Sequence, residues 1–219
     1  MRTLAFTVVL LFATVVPADE EEALKLYEQG HAKLSAGEFH EAADLFNQAL
    51  VQDPKSFLAE HGLGGACAAL KRHDEAIRHF RAAVRLKPDF AQAHNSLGEI
   101  LARKGELEQA EREFRSAVRH DEKNARGWYL LGLVSSRQRD WQSAARAFGR
   151  ASKLRPQSAG AAMNHGIALL GLFEGTGQRR YLVDAIASLS RARSLDPEME
   201  DVPGLLKTAK EKLAVLKGD

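Results

Sequence analysis

The chain contains a single cysteine, Cys67. One thiol cannot close an internal disulfide, so no disulfide framework supports the fold. Net charge is also scarce: 31 Lys and Arg against 29 Asp and Glu leave +2 over 219 residues. No Lys/Arg block is dense enough to suggest a nucleic-acid site, and nucleic acid is excluded as a partner. The uncharged run Leu4 to Val16 has only 13 residues, where a bilayer span needs about 20.

Residues for catalysis are missing too. No two of the eight histidines stand at a helical i, i+4 spacing, and there is no HExxH or comparable ligand cluster. No segment reads as a strand, so Gly175-Thr176-Gly177 is a loop signal rather than a phosphate cradle. The serines lack a nucleophile setting, and Glu111 and Glu113 sit on a helix exterior rather than in a pocket. These absences predict a protein that is not an enzyme and uses no cofactor or metal.

What the sequence does have is a period. Glycine recurs at Gly30, Gly64, Gly98, Gly132 and Gly166, an unbroken step of 34. Alanine follows at Ala42, Ala76, Ala110 and Ala144, an aromatic at Phe46, Phe80, Phe114 and Phe148, and a second alanine at Ala49, Ala83, Ala117 and Ala151. Pro54, Pro88 and Pro156 end three of the units. Self-similarity at a fixed period marks a stack of supersecondary units. Each glycine falls inside a helix, where it costs about 1 kcal/mol relative to alanine, so its recurrence implies close packing of backbones.

This pattern, with glycine at the eighth position of each unit, resembles the tetratricopeptide repeat family, over about residues 23 to 197. The family's eleventh position often holds Tyr; here it is Lys33, Cys67, Leu101, Ser135 and Leu169. The resemblance implies an all-α fold, a right-handed α-solenoid of stacked antiparallel helix pairs. Five repeats start near residues 23, 57, 91, 125 and 159, after an acidic lead-in at 19–22. In the fifth, the expected alanine is displaced to Ala185, so seven residues are inserted around Leu172 to Arg180. A long loop there is cheap and is either a neutral surface loop or a docking loop carrying Arg179, Arg180 and Tyr181. Residues 201–219 read as a capping helix, apolar through Leu205, Leu206, Ala209, Leu213 and Leu216 and lysine-rich on the other side.

Residues 1–18 lie outside the repeats. Arg2, the run Leu4 to Val16 and the small residues Val16-Pro17-Ala18 read as a secretory signal peptide cut after Ala18, or as a retained amino-terminal anchor. The expected location is therefore exported, periplasmic or secreted. Cys67 reads as a buried small residue in a first helix, or alternatively as a thiol for an intermolecular bond.

The resemblance also implies where a ligand sits, because the family's first helices line a concave groove. A clamp for acidic carboxy termini uses Lys at the fifth position and Asn at the ninth; this chain has neither at those positions. The remaining groove candidates are Asn95, Glu99, Arg103, Arg126, Tyr129 and Arg137 around the junction of repeats 3 and 4. Leu24, Tyr27, Leu58 and His61 form a more apolar second set. Arg and Tyr are enriched in interface hot spots, and a partner's extended segment or amphipathic helix would suit the groove. His61 and His94 are expected to approach each other across adjacent first helices.

The second helices repeat cations: Arg78, Arg112 and Arg146 in one phase, Arg81 and Arg115 in another, Arg85, Arg119 and Lys153 in a third. Glu75, Glu108 and Glu111 stand four residues ahead of His79, Arg112 and Arg115, the favourable helical pairing. The ridge reads as a salt-laced solvated face or as a peripheral contact with anionic membrane. Function is expected to be that of an interaction scaffold or adaptor with a protein or peptide partner. The alternatives are a chaperone-like carrier of polypeptide segments and a non-catalytic accessory subunit of an enzyme complex.

Overall fold

The computed structural model describes residues 18–216, which form eleven α-helices and no strand. The signal-peptide pattern, up to residue 17, and Lys217 lie outside the described residues. In chain order the helices are α1 (Ala18–Ser35), α2 (Phe39–Gln52), α3 (Phe57–Ala69), α4 (His73–Leu86), α5 (Ala91–Arg103) and α6 (Leu107–His120). They continue as α7 (Ala125–Arg137), α8 (Trp141–Leu154), α9 (Ala159–Thr176), α10 (Arg179–Leu195) and α11 (Asp201–Val215). The first ten pair as five antiparallel hairpins, and the fold is an all-α solenoid.

Local chemistry fixes where each helix begins and turns. Ser56, Asn124 and Ser158 cap α3, α7 and α9, their side chains accepting from Ala59 N, Gly127 N and Ala161 N. Such caps satisfy amides that have no partner within the helix. Asp140 does the same for α8. The turns inside the first four hairpins need a left-handed residue, met by Gly37 and Gly105 at φ 82° and 83° and by Lys71 and Arg139 at φ 61° and 60°. These four positions also keep the 34-residue step.

The glycine row explains the packing. A Cβ placed on Gly30, Gly64, Gly98 or Gly132 would lie 2.7 to 2.9 Å from the ring of Phe46, Phe80, Phe114 or Phe148 respectively. Each ring therefore rests on the backbone of its own hairpin's first helix. Phe46 also reaches Gly62 of the next repeat, where an added Cβ would be 2.5 Å from the ring. The four phenylalanines are buried, and Leu189 takes their place in the fifth hairpin, against Gly166. Cys67 is 2% exposed among these groups, and burial pushes its thiol pKa up, away from the reactive thiolate.

Adjacent first helices α1 and α3, α3 and α5, and α5 and α7 pack on one another, whereas second helices, beyond their own hairpin, pack on the first helix of the following one. The first helices thus form the tighter, concave side. Two apolar clusters, one centred on Phe46, Phe80 and Phe114 and one on Phe148 and Leu189, run along the array.

The inserted residues do not make a long loop. α9 has 18 residues where α3, α5 and α7 have 13, and α10 has 17 where the other second helices have 14. The turn is only Gly177 and Gln178, with Gly177 at φ 65°. The insertion is added helix, and the half-buried Leu172, Phe173 and Tyr181 of the extension pack on the core around Phe148 and Leu189. α11 then covers the last hairpin with Val202, Leu206 and Ala209 buried. Leu205 and Leu213 are half-buried and Leu216 is exposed, so the apolar face is narrower than the sequence suggested.

Candidate functional site

On the concave side the first helices α3 and α5 bound a recess of about 480 Å³. Its lining includes His61, Gly65 and Ala69 from α3, Gln92, Asn95, Ser96, Glu99 and Arg103 from α5, and Arg126 from α7. Asn95, Glu99, Arg103 and Arg126 are thus brought together, at a place nearer repeats 2 and 3 than the expected junction of repeats 3 and 4.

Asn95 is 6% exposed, and its Oδ1 has no hydrogen-bond partner among the described residues. Its amide faces α7 at Gly127, where a Cβ would come within 3.1 Å of that oxygen. An unpaired buried amide costs free energy until something bonds to it. Beside it, Arg126 Nε and Nη2 donate to Glu99 Oε1 at 3.0 and 2.7 Å. The pair joins α5 to α7 across the groove and neutralises the Arg126 charge. Arg103 is exposed at the end of α5 and has no ion pair among the described residues.

Tyr129 lines a second, smaller recess of about 210 Å³ with Arg126, Arg155 and Ser158. Its hydroxyl accepts from Asn164 Nδ2 at 3.0 Å and its ring meets Phe148 edge-on at 5.6 Å. The residue therefore ties repeat 4 to repeat 5 as well as facing the groove. Arg137 is exposed and lines neither recess.

The apolar set divides similarly. His61 lines the larger recess, with its Nε2 hydrogen-bonded to Ser96 Oγ at 3.0 Å and its ring between Phe80 and Phe90. Burial, with His31 adding to it, pushes its pKa down to about 4, so the imidazole is neutral at pH 7. Leu24 is 51% exposed, Tyr27 packs its ring on Phe46 and Leu58 is half-buried; none lines these two recesses. Burial also raises the Tyr27 phenol pKa.

His94 does not meet His61. It turns toward the second helices, bonding Glu113 Oε2 at 2.7 Å and the Pro88 carbonyl at 2.9 Å, and stacks on His120. Among the described residues no group of three or more His, Cys, Asp or Glu could hold a metal. Arg179, Arg180 and Tyr181 form the first turn of α10 rather than a loop, with the Arg180 guanidinium over the Tyr181 ring at 4.7 Å. Arg180 Nη2 also donates to the Tyr181 hydroxyl at 2.8 Å. Of the expected Glu-to-cation pairs on the second helices, Glu111–Arg115 forms at 2.6 Å, while Glu75 takes Arg72 and His79 takes Glu60.

Gln92, Ser96 and Phe90 were not among the expected site residues. Ser96 and Gln92 have the ordinary polarity of any exposed helical position, so only their place beside His61 and Asn95 marks them.

The tetratricopeptide repeat family model matches residues 27–89, 73–125, 97–135 and 129–200. No curated protein matches the chain. Three solved structures show the same fold. YrrB, described as a TPR protein with an unusual peptide-binding site, superposes with a TM-score of 0.67 at 20% identity, over 87% of this chain and 93% of its own. MamA of Desulfovibrio magneticus RS-1 gives 0.68 at 18% identity, over 84% of this chain and 99% of its own. PilF of Pseudomonas aeruginosa gives 0.66 at 21% identity, over 90% and 93%. With the family model spanning most of the described residues, this chain belongs to the tetratricopeptide repeat family.

Proposed function

We propose that the protein is a non-catalytic scaffold that holds an extended segment of a partner protein in the concave groove, and that it does so outside the cytoplasm. The observation that carries this reading is Asn95: a carboxamide in the wall of a 480 Å³ recess, its oxygen without a hydrogen-bond partner among the described residues. A carboxamide offers one acceptor and two donors, the complement of a peptide group. The recess beside it has an apolar wall at Phe80 and Ile100 and a free guanidinium at Arg103, so side chain and backbone of a segment can be met together. The peptide-binding site in the description of YrrB supports a groove use of this fold. Export rests on the pattern of residues 1–18.

The test is a pull-down from envelope extract with the wild-type chain and with Asn95→Ala/Arg103→Ala. One stoichiometric partner retained by the wild type and lost by the double variant, at unchanged melting temperature, supports the groove. A partner held equally by both overturns it, and no partner at all favours weak, transient capture of segments. A cytoplasmic mature protein, found by fractionation, would remove the exported part of the proposal.

A further inference from the structure

Another recess, among the second helices, lies away from the proposed groove. It holds about 950 Å³ between α6, α8 and α10. Its rim carries six cations, Arg115, Arg119, Arg146, Arg150, Lys153 and Arg191, against one carboxylate, Glu122. We propose that this outer groove docks an acidic peptide segment of a partner protein, one that carries an apolar side chain between its carboxylates.

The cations are unevenly engaged. Arg115 is paired with Glu111, Arg191 donates to the Pro156 carbonyl at 2.6 Å, and Arg150 stands 3.9 Å from Glu122. Arg119, Arg146 and Lys153 have no ion pair among the described residues, and all three are exposed. Three unpaired like charges face one trough whose lining holds a single carboxylate, Glu122, and a partner that supplies carboxylates removes that repulsion.

The trough itself argues for a peptide over a flat anionic surface. Its floor is Val118, Ala145 and Ala162, all buried, with the half-buried Trp128. The Trp128 indole N–H already donates to the Glu122 carbonyl at 3.1 Å, leaving its apolar body for an incoming side chain. Small residues keep the space open on the far side. Ala187 stands in α10 where the displaced repeat would place the counterpart of Arg146, and Gly149 of α8 takes the phase held by Arg81 and Arg115. A Cβ on Gly149 would lie 3.1 Å from His165 Nε2. At the amino-terminal end of the array the same phases carry Asp44, Asn47 and Val51, and α4 carries Arg78, Arg81 and Arg85, so the cation row begins one hairpin before the trough.

The experiment is fluorescence anisotropy of the full chain with a labelled peptide of alternating Glu and Leu, beside its Lys and Leu counterpart. The acidic peptide is expected to bind at least tenfold more tightly, and its affinity to fall steeply with salt. Arg119→Glu/Arg146→Glu/Lys153→Glu should abolish binding, and the neutral Arg119→Gln/Arg146→Gln/Lys153→Gln should weaken it about tenfold, which keeps the test open should the reversal unfold the chain. Asn95→Ala/Arg103→Ala should bind the acidic peptide like the wild type, so this groove and the concave one fail separately. Equal affinity for the two peptides, or unchanged binding by the neutral variant, overturns the proposal. So does binding to phosphatidylglycerol vesicles that an excess of the acidic peptide does not displace.

Discussion

A Cβ added to Gly98 would sit 2.7 Å from Cε1 of Phe114. The helix containing Gly98 would gain about 1 kcal/mol of intrinsic propensity from alanine, but the ring has no room to yield. Phe114 is 1% exposed. Overpacking of this kind costs about 1–3 kcal/mol, so Gly98→Ala is expected to lose stability in urea denaturation. Adding Phe114→Leu should restore little of it, because in the fifth hairpin a Cβ on Gly166 would still lie 2.6 Å from Leu189 Cγ. A stabilised Gly98→Ala would mean that the glycine row serves something other than close approach.

Lys71 and Arg139 occupy the left-handed position that Gly37 and Gly105 fill in the other hairpins. A side chain there costs about 1–2 kcal/mol, while glycine pays back some of the gain in the unfolded chain. Lys71→Gly and Arg139→Gly should each raise the urea midpoint, by up to about 1 kcal/mol. A lower midpoint in both would show that these exposed side chains contribute contacts that outweigh the backbone relief.

The histidines impose a pH dependence with two signs. His61 has its pKa pushed down to about 4 by burial, so the unfolded chain binds the proton first as pH falls. Its contribution is present above about pH 6.5 and is lost as pH falls toward 4, amounting to about 3 kcal/mol. His94 behaves oppositely. Burial, the largest single influence, lowers its pKa, but Glu113 and the Pro88 carbonyl together outweigh it and the net is a rise. Its contribution is full below about pH 6.5 and is lost as pH rises through the folded value. Glu113→Gln should therefore bring the His94 titration below its ordinary value in NMR and remove the loss on the alkaline side. A His94 titration that ignores Glu113→Gln would mean the 2.7 Å contact has no electrostatic weight.

How much of this was legible beforehand depends on whether a feature repeats. Gly64 and Phe80, or Ser56 and Ser158, stand at one phase of a period, and a period fixes neighbours without coordinates. The all-α solenoid followed from that row together with its resemblance to the tetratricopeptide repeat family. The seven extra residues near Leu172 could be counted but not placed, because a helix and a loop of equal length leave the same displacement of Ala185. The packing of Leu172, Phe173 and Tyr181 on the core decides it for helix. Among the site residues, Arg126 was visible but its partner was not. Glu99 lies 27 residues earlier on another repeat, and no single-helix spacing rule joins them. The outer groove escaped for a related reason: the cations were readable as a ridge, but the trough between them is made by Gly149 and Ala187, which leave no charge signal.

The helix caps give the last prediction. Ser56, Asn124 and Ser158 share one phase, and the residue at that phase before α5 is Phe90, which accepts no cap bond. Phe90 instead meets the Phe57 ring edge-on at 5.0 Å and the His61 ring at 5.2 Å. Phe90→Ser would supply a cap worth about 1 kcal/mol and lose a half-buried aromatic whose pairs contribute about 0.5–1.5 kcal/mol each beyond burial. The loss is the larger, so the variant should melt lower than the wild type. It should also move the His61 titration upward from about 4, since that ring is part of what shields the imidazole beside the Asn95 recess. If stability falls while the His61 titration stays put, Phe90 acts on the joint between repeats 2 and 3 alone and has no part in setting the groove's polarity.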